Sequence, residues 1–201
     1  MSTVQLKLGP SDHGRPLSLK AYEAAEYELG FNYEIIDGLL YVSPRGEFVD
    51  SVLENWLFWN LTQYEDAHPE IINFVTPKSR VFVHARKKAT VPQPDMAAYH
   101  DLPLDSDFRD IHWRDLSPVL VAEILVDGEA HKDLTRNPDL YFDVPSIREY
   151  WVLDGRDDPN QPTLIQHRRY GKRWVVREYA YGSTFTTKML PGFILLIDPR
   201  A

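Results

Sequence analysis

The chain has 201 residues, 43% of them hydrophobic and 12% aromatic, which suffices for a single domain with its own core. It contains no cysteine, so disulfides, thiolate metal sites and thiol nucleophiles are excluded. A formal net charge of −8 means that polyanions are not attracted by the whole surface, and any nucleic acid must be met by local basic patches.

Ser18 is placed to cap a helix over Leu19–Tyr27 that Gly30 stops. Two β-rich runs, Tyr33–Ile36 and Leu39–Val42, flank Asp37-Gly38, a strong hairpin signal. Apolar residues at Val49, Val52, Leu53, Trp56, Leu57, Leu61 and Tyr64 recur at helical spacing and predict the long helix of the chain. Strand-like runs follow at Ile71–Val75, Arg80–Val83 and Met96–Tyr99, then an acidic loop from Asp101 to Asp115. Val119–Val126 is apolar on both faces, as a central strand of a covered sheet should be. A second helix is expected between Lys132 and Phe142, where Pro138 is tolerated only in a first turn or at a kink. Glu149–Asp154 reads as another buried strand, and Thr163–His167, Trp174–Tyr181 and Gly192–Ile197 as antiparallel strands. This order points to an α/β fold with a mixed central sheet flanked by helices.

Neither a basic, apolar leader nor an apolar run of about 18 residues appears, so a soluble, cytoplasmic protein is expected. Two short stretches are basic, His84–Lys88 and His167–Trp174, and both read first as solvated hairpin tips. The second interleaves cations with aromatics, as a nucleic-acid surface does. The seven histidines form no zinc spacing, although His100 and His131 are within reach of the central strand ends. There is no phosphate loop, GxGxxG or GxSxG.

Within the central strand one carboxylate, Glu123, interrupts the apolar run Val121-Ala122-Glu123-Ile124-Leu125. A buried acid needs a cation, a metal or a proton to offset desolvation. The preceding strand begins with Gln93-Pro94-Asp95-Met96; if the two strands pair so that Asp95 lies beside Glu123, their oxygens converge on one hard cation. Mg²⁺ suits that pair, since it commonly takes one or two carboxylates and keeps several waters. Glu34 and Glu54 are further acids, each more simply a paired or solvated carboxylate.

Pro94-Asp95 followed by Glu123 on the next strand resembles the PD-(D/E)XK nuclease arrangement. More closely, the chain resembles the Uma2 (DUF820) family of restriction-endonuclease-like proteins. The matching pieces are Tyr33–Gly38, Pro94-Asp95, Val121–Leu125, Asp133-Leu134 with Leu140-Tyr141, Glu149–Asp154 and Leu190-Pro191-Gly192. The resemblance implies one domain over 1–201: an N-terminal helix and hairpin (1–47), a restriction-endonuclease-like core (48–154) and C-terminal antiparallel strands (155–201). It also implies a DNA endonuclease dependent on Mg²⁺ or Mn²⁺, with Asp95 and Glu123 as metal ligands. Nuclease-like folds often act as dimers, so a homodimer is compatible with it.

The motif asks for a lysine two residues after the acid, and Leu125 stands there. Lys132 and Arg136, at the start of the next helix, are the candidate replacements, with Lys132 preferred because lysine handles protons. In the proteins this chain resembles, a helix-borne lysine is the usual substitute, and Asn137 is its nearest counterpart. A catalytically inactive binding or assembly module on the same fold is the alternative expectation.

Overall fold

The computed structural model describes residues 5–127 and 130–201. The chain order is β1 (Lys7–Leu8), α1 (Leu19–Ala24), β2 (Glu26–Tyr27), β3 (Phe31–Ile36), β4 (Leu39–Pro44), α2 (Phe48–Ala67), β5 (Phe74–Pro77), β6 (Met96–Tyr99) and β7 (Leu120–Leu125). After these come α3 (Asn137–Phe142), β8 (Glu149–Asp154), β9 (Thr163–Tyr170), β10 (Arg173–Tyr179), β11 (Thr184–Thr186) and β12 (Ile194–Leu196). Six strands form the central sheet in the order β10-β9-β8-β7-β6-β5. Within it β7 and β8 are parallel, and the other neighbours are antiparallel. The expected mixed α/β fold is therefore present.

Both faces of β7 are covered. Ala122 and Ile124 face α2, whose Leu53, Leu57, Leu61 and Tyr64 line one side of the helix and pack with Trp151, Phe185 and Phe193. Val121 and Leu125 face the other way, into a core with Tyr141, Tyr150 and Val152. Strand alternation puts Glu123 on that second face, beneath α3. Asp37 and Gly38 both have positive φ, 48° and 78°, the conformation a two-residue hairpin turn requires. The β3–β4 hairpin it closes stands outside the central sheet and packs its own core of Tyr22, Tyr33, Ile35, Leu40 and Val91.

Several boundaries differ from expectation for physical reasons. The first helix stops at Ala24, because Glu26 and Tyr27 pair with β1 instead. Ile71 and Ile72 belong to the turn that ends α2, where their amides bond to the His68 carbonyl. Arg80–Val83 is not a strand. Val81 and Val83 donate to the carbonyls of Pro92 and Thr90, but Pro92 has no N–H to return and the Val83 carbonyl accepts from the Arg86 amide, so no ladder develops. Pro138 sits in the first turn of α3, and a π turn over Lys132–Arg136 leads into it. Proline removes an amide from the regular helical ladder, so the preceding turn widens. Of the C-terminal strands, β9 and β10 extend the central sheet itself, whereas β11–β12 is a separate pair. Among the described residues no helix is long and apolar enough to cross a membrane.

Candidate active site

Met96 pairs with Ala122 across β6 and β7, so one step further along the same register Asp95 meets Glu123. Two bonds fix the meeting: the Asp95 amide donates to Glu123 Oε2 at 3.2 Å, and the Ile124 amide donates to Asp95 Oδ2 at 2.7 Å. The second oxygen of Glu123 accepts from Asn137 Nδ2 at 2.9 Å and from the Tyr141 hydroxyl at 2.8 Å. Asn137 and Tyr141 lie four residues apart, on one face of α3. Glu123 is only 2% exposed. Burial raises its pKa well above the usual carboxylate range, with the nearby Asp133, Asp95 and Glu34 adding to the rise and Lys132 opposing it.

The cation that reaches Asp95 is Lys78, which follows β5. Its ammonium bonds to Asp95 Oδ1 and to Glu54 Oε1 on α2, the latter at 2.8 Å. Burial opposes its charge, but the two carboxylates outweigh that and hold it protonated. Lys78 also has φ of 53°, a left-handed conformation that a residue with a Cβ rarely adopts and that is often found at functional sites. No sequence signal marked Lys78, because the pairing is tertiary.

Lys132 and Arg136 are paired with a third acid, and Lys132 also lies near enough to Glu123 to lower its pKa. Both point at Glu34, each with a nitrogen 3.4 Å from its Oε2. Glu34 is buried, not at the surface, and its other oxygen accepts the Gln93 amide at 2.9 Å. Arg136 also donates twice to Asn137 Oδ1, at 3.1 and 3.0 Å, which aims the Asn137 amide at Glu123 and Asp133. Arg136 thus acts on Glu123 through Asn137. Glu54 is paired with Lys78. His100 bonds to the Ile71 carbonyl and to Asp101 beyond the far end of β6, and His131 is exposed; neither bonds to this cluster. Tyr150 and Trp151 are fully buried in the core.

The cluster holds the five carboxylates of Glu34, Glu54, Asp95, Glu123 and Asp133 against the three cations Lys78, Lys132 and Arg136. With all five acids ionised the formal excess would be two negative charges, and burial opposes that state by raising the pKa of Glu123, Asp133 and Glu54. Asp95 and Glu123 together are the donor set a hard ion such as Mg²⁺ accepts, so the residues fit one. Among the described residues no group of three or more His, Cys, Asp or Glu is placed to hold a metal ion.

Asp133 gives a direct check on this electrostatic picture. Burial, with Asp95 and Glu34 nearby, raises its pKa from 3.8 to about 6, against the pull of Lys132 and Arg136. A carboxyl whose pKa is higher folded than unfolded holds its proton better in the folded state, so stability declines as pH rises from about 4 to about 6. Asp133→Asn keeps an acceptor for Asn137 and removes the charge. The variant is expected to melt higher than the parent at pH 7 and equally at pH 4; a constant difference across that range would refute the assignment.

The sequence model of the Uma2 family, described as "Putative restriction endonuclease", matches residues 19–198. No curated protein matches the sequence. Among solved structures, the fold is similar to a crystal structure from Anabaena variabilis ATCC 29413, described as "a putative nuclease belonging to DUF820". That similarity has a TM-score of 0.65 at 12% identity and covers 90% of this chain and 96% of the other, so it is a likeness of fold.

Proposed function

The chain belongs to the Uma2 family, and we propose that it is a metal-dependent nuclease hydrolysing phosphodiester bonds of DNA. The observation that carries this reading is the convergence of Asp95 and Glu123 across β6 and β7, within a cluster whose acids outnumber its cations. Asp95 and Glu123 would hold Mg²⁺ or Mn²⁺, and such an ion supplies Lewis acidity toward a phosphate and a more acidic water. The remaining roles belong to the chain. Asn137 and Tyr141 fix the rotamer of Glu123, and Arg136 fixes Asn137. Lys78, beside Asp95, is the cation placed to face a phosphate oxygen, the part that Leu125 leaves unfilled on the strand. Lys132 balances Glu34 and Glu123 from the opposite side and is kept protonated by them.

The test is cleavage of labelled single- and double-stranded DNA across a titration of Mg²⁺ and Mn²⁺, with wild type, Asp95→Asn and Glu123→Gln compared at matched folded concentration. The expected result is metal-stimulated cleavage in wild type and none in either variant. Equal activity in all three would show a contaminant and end the proposal. The second reading is a binding module without turnover, favoured by Asn137, a neutral amide where a helix-borne lysine is usual. It predicts DNA binding with no cleavage at any metal concentration.

A further inference from the structure

Beside the carboxylate cluster lies a groove of about 440 Å³, lined by Tyr27, Phe31, Arg45, Lys78, Arg80 and Gln93 among others. Its lining includes three cations and no carboxylate, in a chain whose net charge is −8. The groove and the cluster share a wall. Lys78 reaches from it to Asp95, the Gln93 amide reaches Glu34, and the Gln93 side chain ties the two segments by donating to the Lys78 carbonyl at 2.7 Å. Its other wall is aromatic. Tyr27 and Phe31 line it, and the Arg80 guanidinium lies 5.6 Å from the Tyr27 ring centroid, with the buried Tyr22 behind it at 4.9 Å. Tyr27 and Tyr33 pack with centroids 4.7 Å apart, and the Tyr33 hydroxyl is anchored on the Leu8 and Glu28 carbonyls. Among the described residues neither Arg45 nor Arg80 takes part in an ion pair.

We propose that this groove receives an unpaired nucleotide of the DNA strand, its base against the aromatic and guanidinium wall and its flanking phosphates on Arg45, Arg80 and Lys78. The inference rests on the nuclease reading for the identity of the polymer, and it adds the substrate class. Arg45 and Arg80, which lie outside any ion pair among the described residues, suit phosphate, and aromatic and guanidinium planes suit the faces of bases. Those faces are free only where bases are unstacked and splayed out. The recess has the size of a small-ligand site, not of a cleft that spans a duplex. Because Lys78 belongs to both groove and cluster, a phosphate next to the bound nucleotide is delivered to Asp95 and Glu123. Single strands, frayed ends or flaps are accordingly the substrates, and fully paired DNA is not.

Fluorescence anisotropy in EDTA separates this from cleavage, using a short labelled oligothymidylate and a blunt duplex of equal length. Wild type is expected to bind the single strand more tightly. Phe31→Ala and Arg80→Gln should each weaken that binding about tenfold, the scale of one stacked base. Arg45 is exposed, so Arg45→Ala leaves folding intact, and it should flatten the plot of log affinity against log salt by about 0.7, one phosphate contact on a single strand. Lys172→Ala, at the β9–β10 turn, is the surface control and should change nothing. Tighter binding to the duplex, or an unchanged salt slope in Arg45→Ala, overturns the proposal. If metal-dependent cleavage is found but these variants bind normally, the groove assignment fails and the nuclease reading stands. If single-strand binding depends on the groove but no metal supports cleavage, the reverse holds.

Discussion

Glu123→Ala is expected to lower the melting temperature by about 10 °C, whatever it does to activity. Glu123 is 2% exposed and accepts from three donors: the Asp95 amide, Asn137 Nδ2 and the Tyr141 hydroxyl. Truncation strands all three, each at roughly 1–3 kcal/mol when buried. Some of that is recovered, because an acid whose charge is disfavoured by burial also leaves. A net loss of about 3–4 kcal/mol, at 2–4 °C per kcal/mol for a chain of this size, gives the expected shift. Glu123→Gln differs: its carbonyl still accepts from Asn137 and Tyr141, and only the contact with the Asp95 amide becomes donor against donor. Its melting temperature should fall within about 3 °C of wild type, since one exchanged hydrogen bond is worth roughly 1 kcal/mol. Thermal melts of the two variants side by side check this, and equal losses would mean that the hydrogen bonds to Glu123 contribute little. An inactive alanine variant is therefore ambiguous between chemistry and folding, whereas an inactive glutamine variant is not.

Lys78→Met is expected to destabilise the metal-free protein and to make its stability respond more strongly to Mn²⁺. The ammonium sits between Glu54 and Asp95, with side-chain exposures of 32%, 22% and 18%. Fully buried pairs cost about 3–5 kcal/mol when one partner is removed, and exposed pairs about 0–1; this partly screened triad falls between, at roughly 2 kcal/mol. Without Lys78, Glu54 and Asp95 repel each other. Burial and Asp95 already raise the pKa of Glu54 even with the lysine present. A divalent ion held by Asp95 and Glu123 would compete with the ammonium for the Asp95 carboxylate, so removing the ammonium would remove a competitor. Melting curves with and without Mn²⁺ should show a larger metal-induced rise in Lys78→Met than in wild type. Equal rises would mean that Lys78 and the metal do not share Asp95. If the proposed nuclease role of Lys78 holds, cleavage by the variant should be lost even at saturating Mn²⁺.

Strand periodicity made the centre of the fold legible. The apolar run around Glu123 has neighbours on both faces, and alternation alone places that carboxylate opposite Ala122 and Ile124. The turn residues Asp37 and Gly38 likewise announced their hairpin. Legibility failed where a single backbone group decided the outcome. Pro92 has no amide to return and the Val83 carbonyl is taken by Arg86, so Arg80–Val83 does not become a strand although its composition suits one. Pro138 opens the turn before it, and Lys132 and Arg136 on that turn are paired with Glu34, a partner that spacing along the chain did not suggest. Lys78 was invisible for a different reason. Its partners lie on α2 and at the start of β6, and only the packing of those elements brings them to it. The resemblance supplied Asp95 and Glu123 as a pair; it could not supply the lysine that this chain places beside them.

The parts of the cluster are scattered along the chain, and that bears on how the protein folds. The contact of Gln93 with Glu34 closes a separation of 59 residues and that of Arg136 with Glu34 one of 102, while Glu123 and Tyr141 meet across the connection between the parallel strands β7 and β8. Closing loops of that length loses chain entropy before any contact is returned, which slows folding in proteins built on non-local pairings. Only the Glu123–Asp133–Asn137–Tyr141 part of the cluster lies within one short segment; Glu34 and Glu54 join it from distant parts of the chain. The cluster as a whole therefore depends on the hairpin, α2 and the central sheet being docked together, and loosening any one of them is expected to disturb all of its charges.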